Sequence, residues 1–317
     1  MSNNICRICG NENSIEEYNI KEKMFGTGEE FEYFKCMDCG CLQIKKIPEN
    51  IQKYYPPNYL PDFQSFSLKK YFIKKRENAF FSGKGTLGKF LIKLFGIPKE
   101  HKWFTKLELN KMNSILEVGC GKGELLNILH LAGFKKLLGI DPFMEKNQVF
   151  NEHYKLLKIN LSEIDTIFDF VMFNHSFEHL SNPHETFQYL KKIIKKNGQI
   201  LIRIPLVDSY AWETYKTDWV QLDPPRHFFL YTVKSIRFLC HKYGFRLKSI
   251  LYDSNGFQFW GSEQCKKQIP FLSPNPLFNK HNNFAFSKKE LKIYEQKANE
   301  LNKNNRGDMA SFYLEPF

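Results

Sequence analysis

Four cysteines near the start of the chain fall into two close pairs that suit metal binding. Cys6 pairs with Cys9 and Cys36 with Cys39, and 26 residues separate the pairs. A C-x-x-C loop lets two thiolates occupy two corners of a tetrahedron, so two loops supply the four soft ligands that Zn²⁺ prefers. Because protein would fill all four places, the spacing predicts a structural zinc site. Cys41 lies one register away and is not expected to be a ligand.

A glycine-rich turn further along the chain suits a nucleoside. Residues 116–124, LEVGCGKGE, follow an apolar strand and open a helix. Gly119, Gly121 and Gly123 allow a tight turn and leave bare backbone for a ligand, but their G-x-G-x-G spacing differs from the G-x-G-x-x-G of pyrophosphate-binding turns. Glu117 in front of them would repel phosphate and could accept a hydrogen bond from a cationic amino acid group. S-adenosylmethionine carries such a group and no phosphate.

A second acid supports this interpretation. Asp141 ends the next predicted strand, 20 residues beyond Gly121. In nucleotide-binding sheets, a carboxylate at about this distance along the chain meets the ribose hydroxyls. The order of strand, acid, glycines, helix, strand and acid therefore predicts a nucleoside site.

Two imidazoles and a carboxylate follow the end of another predicted strand, within five residues. They are His175, Glu178 and His179, and strand ends of this kind border the ligand crevice of an open α/β sheet. Transfer of a group to a hydroxyl needs alignment of the reactants and removal of one proton. A histidine with its ordinary pKa of ~6.5 is mostly neutral at physiological pH and can accept that proton. His175 and His179 are candidate bases, with orienting or packing roles as the alternative.

A third histidine lies in PPRHFFLYT, residues 224–232. The two prolines restrict the backbone and would hold the next two side chains in place. His227 is a candidate catalytic or substrate-binding residue, or else a structural histidine that caps the following helix. Arg226 is a candidate substrate ligand, because a guanidinium is a planar fork that grips phosphate or carboxylate. Tyr55, within YYPPNY, is a candidate substrate contact in an active-site cover, with a linker or packing role as the alternative.

Alternating strands and helices must position these side chains. The pattern indicates an α/β fold with a doubly wound, Rossmann-like parallel sheet covered on both faces. Asn182 is a predicted N-cap for the helix 183–195. Strands are predicted over residues 114–118, 137–140, 154–159, 168–173, 199–204, 245–252 and 310–314.

These motifs resemble those of the class I S-adenosylmethionine-dependent methyltransferases, over roughly residues 110–255. The resembling segments are EVGCGKG at 117–123, Asp141, DFV at 169–171 and NHSFEHL at 174–180. The resemblance implies a seven-stranded sheet with one antiparallel strand.

The same resemblance implies where the cofactor lies. The glycine turn would pass under the methionine part of S-adenosylmethionine, and Asp141 would bind the ribose. Asn160 would approach the adenine, and Asn174 and His175 would lie beside the transferred methyl.

The PPRH segment and the zinc module are similar to features of sugar-modifying methyltransferases, where a histidine before an aromatic stretch is a base or a substrate ligand. In the deoxysugar C-methyltransferase branch that histidine follows a glutamate, whereas here it follows Arg226. The resemblance implies O-methylation of a sugar, either nucleotide-linked or part of a surface polysaccharide precursor. A sugar C-methyltransferase and an RNA methyltransferase are the alternatives.

The 317 residues have room for one doubly wound domain and a smaller module. We predict a zinc-binding module over 1–47, a linker with amphipathic helices over 48–110 and a methyltransferase domain over 111–317. Insertions at 206–231 and 253–309 are expected to cover the substrate. The amphipathic helices are expected to pack on the neighbouring domain rather than to lie on a membrane surface.

The net charge of +12 favours acidic partners, such as a nucleotide-linked substrate, nucleic acid or an anionic membrane surface. The basic residues are spread over several helices and do not cluster in the zinc module, which favours a small sugar substrate over nucleic acid. The first ten residues do not resemble an export signal, and no stretch reaches the ~18 apolar residues of a membrane span. We therefore predict a cytoplasmic protein.

Overall fold

The computed structural model describes residues 5–12, 15–55, 67–97, 101–271 and 286–317. Its strands form two sheets, a large one that carries the candidate cofactor site and a small one near the paired cysteines.

The large sheet has eight strands, one more than the resemblance implies. Its order is β11-β12-β9-β8-β4-β5-β7-β6. The strands are β4 Ser114–Val118, β5 Lys136–Ile140, β6 Gln148–Asn151, β7 Tyr154–Leu157, β8 Phe168–Asn174, β9 Ile194–Pro205, β11 Phe245–Tyr252 and β12 Met309–Pro316.

The additional strand is β6, which forms a hairpin with β7 at one edge of the large sheet. All four of its residues are exposed, and its two apolar residues, Val149 and Phe150, are adjacent, so the sequence lacks the alternation that would reveal a strand. Both β6 and β12 run antiparallel to their neighbours, whereas β4, β5, β7, β8 and β9 pair in parallel. The expectation of a single antiparallel strand was therefore also wrong.

The small sheet combines strands of the predicted N-terminal module with one strand of the predicted methyltransferase domain. Its order is β1-β2-β3-β10, and every pairing is antiparallel. Strands β1 Ile15–Lys21, β2 Glu30–Cys36 and β3 Leu42–Ile44 belong to the N-terminal module, but β10 Phe229–Leu230 comes from the segment that follows PPRH. The insertion after β9 thus completes the sheet of the N-terminal module.

Helices cover the large sheet and connect it to the rest of the chain. They are α1 Ser67–Ser82, α2 Thr86–Phe95, α3 His101–Phe104, α4 Glu124–Leu131, α5 Pro183–Ile193, α6 Tyr210–Tyr215, α7 Val233–Tyr243, α8 Phe257–Lys266 and α9 Lys288–Lys303. No helix of the described ranges is both long enough and apolar enough to cross a membrane.

Two helix starts test the predicted caps. The Asn182 side chain accepts a hydrogen bond from the Glu185 N–H at 3.2 Å, which confirms it as the cap of α5. At α7 the cap is Thr232, which accepts from the Ser235 N–H at 2.9 Å. His227 therefore does not cap this helix.

Helix α1 packs on the body of the large domain through aromatic side chains. Phe81 lies 5.1 Å from Phe134 and 5.5 Å from Phe104, measured between ring centroids in edge-on contacts. Helix α2 packs on α1 but leaves other apolar side chains in solvent, including Phe90 at 58% exposure and Leu94 at 61%. Helix α1 therefore packs on the neighbouring domain as expected. The outer face of α2 does not, and the expectation was wrong there.

Candidate functional site

The glycine turn connects β4 to α4 at the carboxyl end of the parallel strands. Gly119, Gly121 and Gly123 all have positive φ, between 52° and 74°, a region that favours glycine. A β-carbon on Gly119 would lie 2.3 Å from that of Ser176, and one on Gly123 would lie 2.5 Å from the Leu156 side chain. These two glycines are thus required by protein packing, which is a reason the sequence alone does not reveal.

A cleft of about 550 Å³ opens over this turn. It is lined by nearly all the predicted cofactor residues, namely Glu117, Gly119, Gly121, Asp141, Asn160, Asn174 and His175. Gly123 is the exception, since it lies behind the turn against Leu156. Trp103, which the sequence did not single out, also lines this cleft. We call it the cofactor cleft.

Glu117 is suited to a cationic ligand group. The residue is buried, and its Oε2 atom has no hydrogen-bond partner within the described structure. Burial, together with the nearby Asp141 carboxylate, raises the pKa of Glu117 to about 8. An ammonium group beside this oxygen would favour the ionised form of the Glu117 carboxylate. The amino group of S-adenosylmethionine is such a cation.

Asp141 holds the glycine turn as well as facing the cleft. One carboxylate oxygen accepts a hydrogen bond from the Gly121 N–H at 3.0 Å, and the other accepts from the Phe143 N–H at 2.8 Å. Each oxygen keeps a further lone pair for a ribose hydroxyl. The residues present therefore fit a phosphate-free nucleoside with a cationic tail.

A second cleft, of about 380 Å³, adjoins the first. We call it the acceptor cleft. It shares two wall residues, His175 and His179, with the cofactor cleft. Most of its other walls are polar, including Arg203, Gln221, Asp223, His227, Asp253, Ser254, Asn255, Gln258 and Asp308. A group transferred between the two clefts would pass the shared histidines.

His175 lies at the junction in a left-handed conformation, with φ of 54°. Its Nε2 accepts a hydrogen bond from the Arg203 guanidinium, and its Nδ1 lies 3.8 Å from Glu178 Oε1. Desolvation and the adjacent Arg203 charge hold the pKa of His175 well below its usual value. With its lone pair already engaged, the ring is arranged to orient a ligand rather than to accept a proton.

His179 and Tyr55 meet at the same junction. His179 Nδ1 lies 2.8 Å from the Arg226 carbonyl oxygen, so this nitrogen carries the proton and Nε2 has the free lone pair. The Tyr55 hydroxyl lies 3.1 Å from the same nitrogen, and the Tyr55 ring stacks on Phe143 at 4.8 Å. Burial and the neighbouring His227 lower the pKa of His179 to about 3. Tyr55 thus lines the cofactor cleft, next to the junction, and residues 56–59 of the predicted cover lie outside the described ranges.

His227 has its ring in the acceptor cleft and its tautomer set by the backbone. Nδ1 lies 2.7 Å from the Gln221 carbonyl oxygen, so Nδ1 donates and Nε2 is left as an acceptor. Desolvation lowers the pKa of His227, although the Asp223 carboxylate opposes this shift. A neutral imidazole with an available Nε2 is the arrangement a general base needs. The Tyr33 hydroxyl of β2 donates to the His227 carbonyl oxygen at 2.9 Å, so the N-terminal module helps position this residue.

The Glu178 carboxylate lies between the histidines. Both of its carboxylate oxygens are buried and unpaired in the described structure, and Oε1 is 3.9 Å from His227 Nε2. Burial raises the pKa of Glu178 to about 8. Glu178, His179 and His227 each have a potential ligand atom within 4.8 Å of the others, close enough to hold a cation.

Arg226 is not placed as a substrate ligand. Its side chain is fully buried, and it lines neither cleft. The guanidinium forms ion pairs with Asp223 and with Glu22, the latter at 3.2 Å, and donates to the Tyr54 carbonyl oxygen at 3.1 Å. The planar fork instead holds the acceptor segment to the N-terminal module, a use that local sequence does not reveal.

Arg203 is a site residue that the sequence analysis missed. Its Nε atom donates to Asp253 Oδ2 at 2.6 Å, and its guanidinium lies 4.3 Å above the centre of the Trp103 ring. These contacts join β9, the end of β11 and the helix before β4. The available signal was a single charged residue inside the apolar strand QILIRIP.

The four paired cysteines come together as their spacing predicts. Cys6 Sγ is 3.6 Å from Cys39 Sγ, and Cys9 Sγ is 3.6 Å from Cys36 Sγ, with all four sulfurs within 4.8 Å of one another. Such separations match a tetrahedron of Zn–S bonds of ~2.3 Å. Cys41 is buried outside the group, and burial raises its pKa well above the usual value.

The mixed α/β sheet, the glycine turn and the two carboxylates define a Rossmann-like enzyme that binds a nucleoside at the carboxyl edge of its strands. The chain belongs to the methyltransferase domain family, whose model matches residues 84–250. Residues 84–250 thus form a methyltransferase domain.

Known proteins resemble this chain over different extents. The mitochondrial ubiquinone biosynthesis O-methyltransferase of Dictyostelium discoideum is 30% identical over 116 residues, and the match covers 30% of this chain and 36% of that protein. The chain thus spans about a third of the length of this curated relative. A cyclopropane synthase from Mycobacterium tuberculosis matches with a TM-score of 0.45 and 14% identity, covering 80% of this chain and 99% of that one.

A polyketide O-methyltransferase from Brevibacillus brevis, solved with S-adenosyl-L-homocysteine, also matches. Its TM-score is 0.43 and its identity 15%, with 81% of each chain covered.

Proposed function

We propose that this methyltransferase O-methylates a hydroxyl of a sugar, either nucleotide-linked or part of a surface polysaccharide precursor. The proposal rests on the acceptor cleft, which meets the cofactor cleft at His175 and His179 and presents amide, hydroxyl, carboxylate and imidazole groups. Such walls suit a hydroxyl-rich ring that both donates and accepts hydrogen bonds.

We infer that His227 is the general base. S-adenosylmethionine, when bound, supplies an electrophilic methyl group. The acceptor oxygen forms a bond to that carbon as the carbon–sulfur bond breaks, and the hydroxyl proton passes to His227 Nε2. The Gln221 carbonyl holds the tautomer that keeps Nε2 unprotonated, and the lowered pKa keeps the ring neutral below the usual histidine range.

The remaining residues hold the reactants in our proposal. Glu117 binds the amino group of the cofactor, Asp141 the ribose, and Asn160 the region of the adenine. Asn174 and His175 border the methyl group, with His175 held by Arg203. Alignment of this kind accounts for a large share of catalysis in a direct displacement.

We also propose that Cys6, Cys9, Cys36 and Cys39 hold a structural Zn²⁺. The ion would stabilise the small sheet, whose residue Tyr33 holds the backbone of His227. Metal analysis of the purified protein should give one zinc per chain, and C36S should lower that ratio. A protein that is fully folded without any bound metal would contradict this assignment.

The central test is incubation of the purified enzyme with methyl-labelled S-adenosylmethionine and a panel of nucleotide sugars and polysaccharide precursors. Label in an O-methyl ether of a sugar is the expected result. Label on a sugar carbon would favour C-methylation, and no label in any carbohydrate would overturn the sugar proposal.

Addition of EDTA distinguishes two possible roles of His227, as a general base or as a ligand of a catalytic cation. If His227 acts as a base, brief chelation leaves methyl transfer unchanged. Loss of activity with zinc still bound to the cysteines, and its recovery with Mg²⁺ or Mn²⁺, would instead assign Glu178, His179 and His227 to a catalytic cation.

RNA remains the alternative acceptor, supported by the paired cysteines, the net charge of +12 and the aromatic residues of the chain. The acceptor cleft itself contains Asp223, Asp253 and Asp308. Carboxylates in these positions would repel any phosphate that entered the cleft, whether from an RNA backbone or from the diphosphate of a nucleotide sugar, and they favour a sugar ring without phosphate at this point.

A further inference from the structure

Helix α2 carries an apolar stripe that faces solvent. Leu87, Phe90 and Leu94 follow the i, i+3, i+7 spacing of one helix face and are exposed by 39%, 58% and 61%. Phe95 and Ile97 extend the apolar surface at the end of the helix. We call this surface the α2 face.

The side of α2 next to this stripe packs against α1. Gly88 and Leu91 are buried against α1, and a β-carbon on Gly88 would lie 2.2 Å from the Lys75 carbonyl oxygen and 2.5 Å from the Ala79 side chain. A contact this close leaves no space for a larger side chain of α2 to turn inward. The exposure of the α2 face is therefore built into the packing of the two helices.

Lysines border the α2 face. Residues 72–97, whose side chains the structure describes, contain six lysines and arginines and one glutamate. Lys89 and Lys93 are exposed and lie one turn apart on the flank of the apolar stripe. Lys84 is exposed just before the helix. An apolar stripe bordered by lysines is the pattern of helices that lie in the interface of an anionic membrane.

We propose that the α2 face docks on an anionic phospholipid bilayer. The apolar side chains would enter the boundary between headgroups and acyl chains, while the lysines would face phosphate. A second copy of the chain is a poorer occupant, because it would bring the exposed lysines that border the two α2 faces close to each other.

The docking surface is fixed relative to the active site. Helix α1, which carries α2, contacts Phe104 and Phe134 through Phe81, and Trp103 beside Phe104 lines the cofactor cleft. Docking would thus hold the enzyme in a set orientation on the bilayer. This inference does not depend on the identity of the acceptor.

The test is vesicle co-sedimentation of the full-length protein without any acceptor. Binding should be at least about tenfold stronger to vesicles of phosphatidylglycerol and phosphatidylcholine than to pure phosphatidylcholine, and should fall with added salt. F90S/L94S and, separately, K89Q/K93Q should each weaken binding about tenfold or more.

L291S/I293S is the matched control, since Leu291 and Ile293 of α9 are exposed by 41% and 49%. Its vesicle binding should equal that of the unaltered protein. Calorimetry with S-adenosylhomocysteine should show unchanged cofactor binding in every variant, which separates this result from failure of the methyltransferase assignment.

Equal binding of F90S/L94S and the unaltered protein would overturn the proposal, as would the absence of binding to anionic vesicles. Light scattering identifies the competing occupant. A dimer that F90S/L94S dissociates, in a protein that ignores vesicles, would show that the α2 face joins two copies.

Discussion

The cofactor cleft and the acceptor cleft meet at His175 and His179, but they are assembled in different ways. Most of the cofactor cleft comes from successive strand ends between residues 117 and 180, with Tyr55 and Trp103 added from the preceding segment. The acceptor cleft combines Met24, the segment around His227, the end of β11 and the residues before β12. One cleft depends largely on local turns, whereas the other depends on contacts between distant segments.

This difference implies that the clefts should respond separately to substitution. Changes in the acceptor segment should affect catalysis and the N-terminal module while leaving cofactor binding intact. Changes at the glycine turn should act on cofactor affinity first.

The largest effect on catalysis is expected from H227Q. Glutamine keeps a polar side chain but removes the proton acceptor, so kcat should fall by about 10²- to 10⁴-fold. Affinity for S-adenosylhomocysteine should not change, because His227 does not line the cofactor cleft. Assays with labelled donor and calorimetry measure the two quantities.

H153Q, at an exposed position, is the control and should keep full activity. In the unaltered enzyme, kcat/KM should fall with acid only below the usual histidine range, since the pKa of His227 is lowered. H227Q should lack this acid limb. An equal loss of cofactor affinity in H227Q would contradict the separation of the two clefts.

R226M should give the largest effect on stability. It leaves Asp223 and Glu22 without their buried cation, which should lower the free energy of unfolding by about 3–5 kcal/mol. Urea denaturation measures this change, and hydrogen exchange should rise in the small sheet before the cofactor cleft.

R246M removes an exposed ion pair with Glu315 and should change the free energy of unfolding by less than about 1 kcal/mol. If R226M were as stable as R246M and had only a raised KM for the acceptor, Arg226 would be a substrate ligand after all.

E117Q should weaken S-adenosylhomocysteine binding by about 10- to 100-fold, because it removes the charged acceptor for the amino group. In the unaltered protein the affinity should rise as the pH increases from 6 to about 8, since ligand binding requires Glu117 to ionise from a pKa of about 8. Calorimetry in buffers of different ionisation enthalpy should detect the released proton.

Stability should show the opposite trend with pH. The pKa of Glu117 is raised above its ordinary value of 4.5, so the unfolded chain loses this proton first and the folded state loses stability between those two pH values. E117Q should reduce this decline and leave the part that comes from Glu178, whose pKa is also raised to about 8, whereas E152Q, at an exposed position, should leave the whole decline unchanged. Cofactor affinity that is independent of pH in the unaltered protein would contradict the role of Glu117.

The smallest effect is expected from Y55F. Loss of the hydroxyl that meets His179 should reduce kcat/KM by about 2- to 10-fold, while the stacked ring remains on Phe143. Y54F, whose hydroxyl donates to Glu29 at 2.7 Å, is the matched control and should leave kcat/KM unchanged. Equal effects of the two substitutions would indicate a general loss of stability.

The difference between local and distant contacts also separates the features that were predicted from those that were missed. Helix α5 with its Asn182 cap, most strands of the large sheet and the cysteine cluster depend on neighbours in the chain, and they were predicted. Strand β6 was missed because it is short and its two apolar residues, Val149 and Phe150, are adjacent rather than alternating with polar ones. The contacts of Arg226 were not predicted because its partners Glu22 and Tyr54 are more than 170 residues away.

The amino-acid sequence by itself determined the α/β class, the cofactor turn and the cysteine cluster, because backbone conformation, burial pattern and ligand spacing are set over short stretches of chain. Only the tertiary structure decided that the PPRH segment joins the sheet of the N-terminal module, that Glu178 is left unpaired between two histidines, and that α2 keeps an apolar face in solvent. These features depend on which distant segments of the chain come into contact, and short stretches of sequence do not specify those contacts.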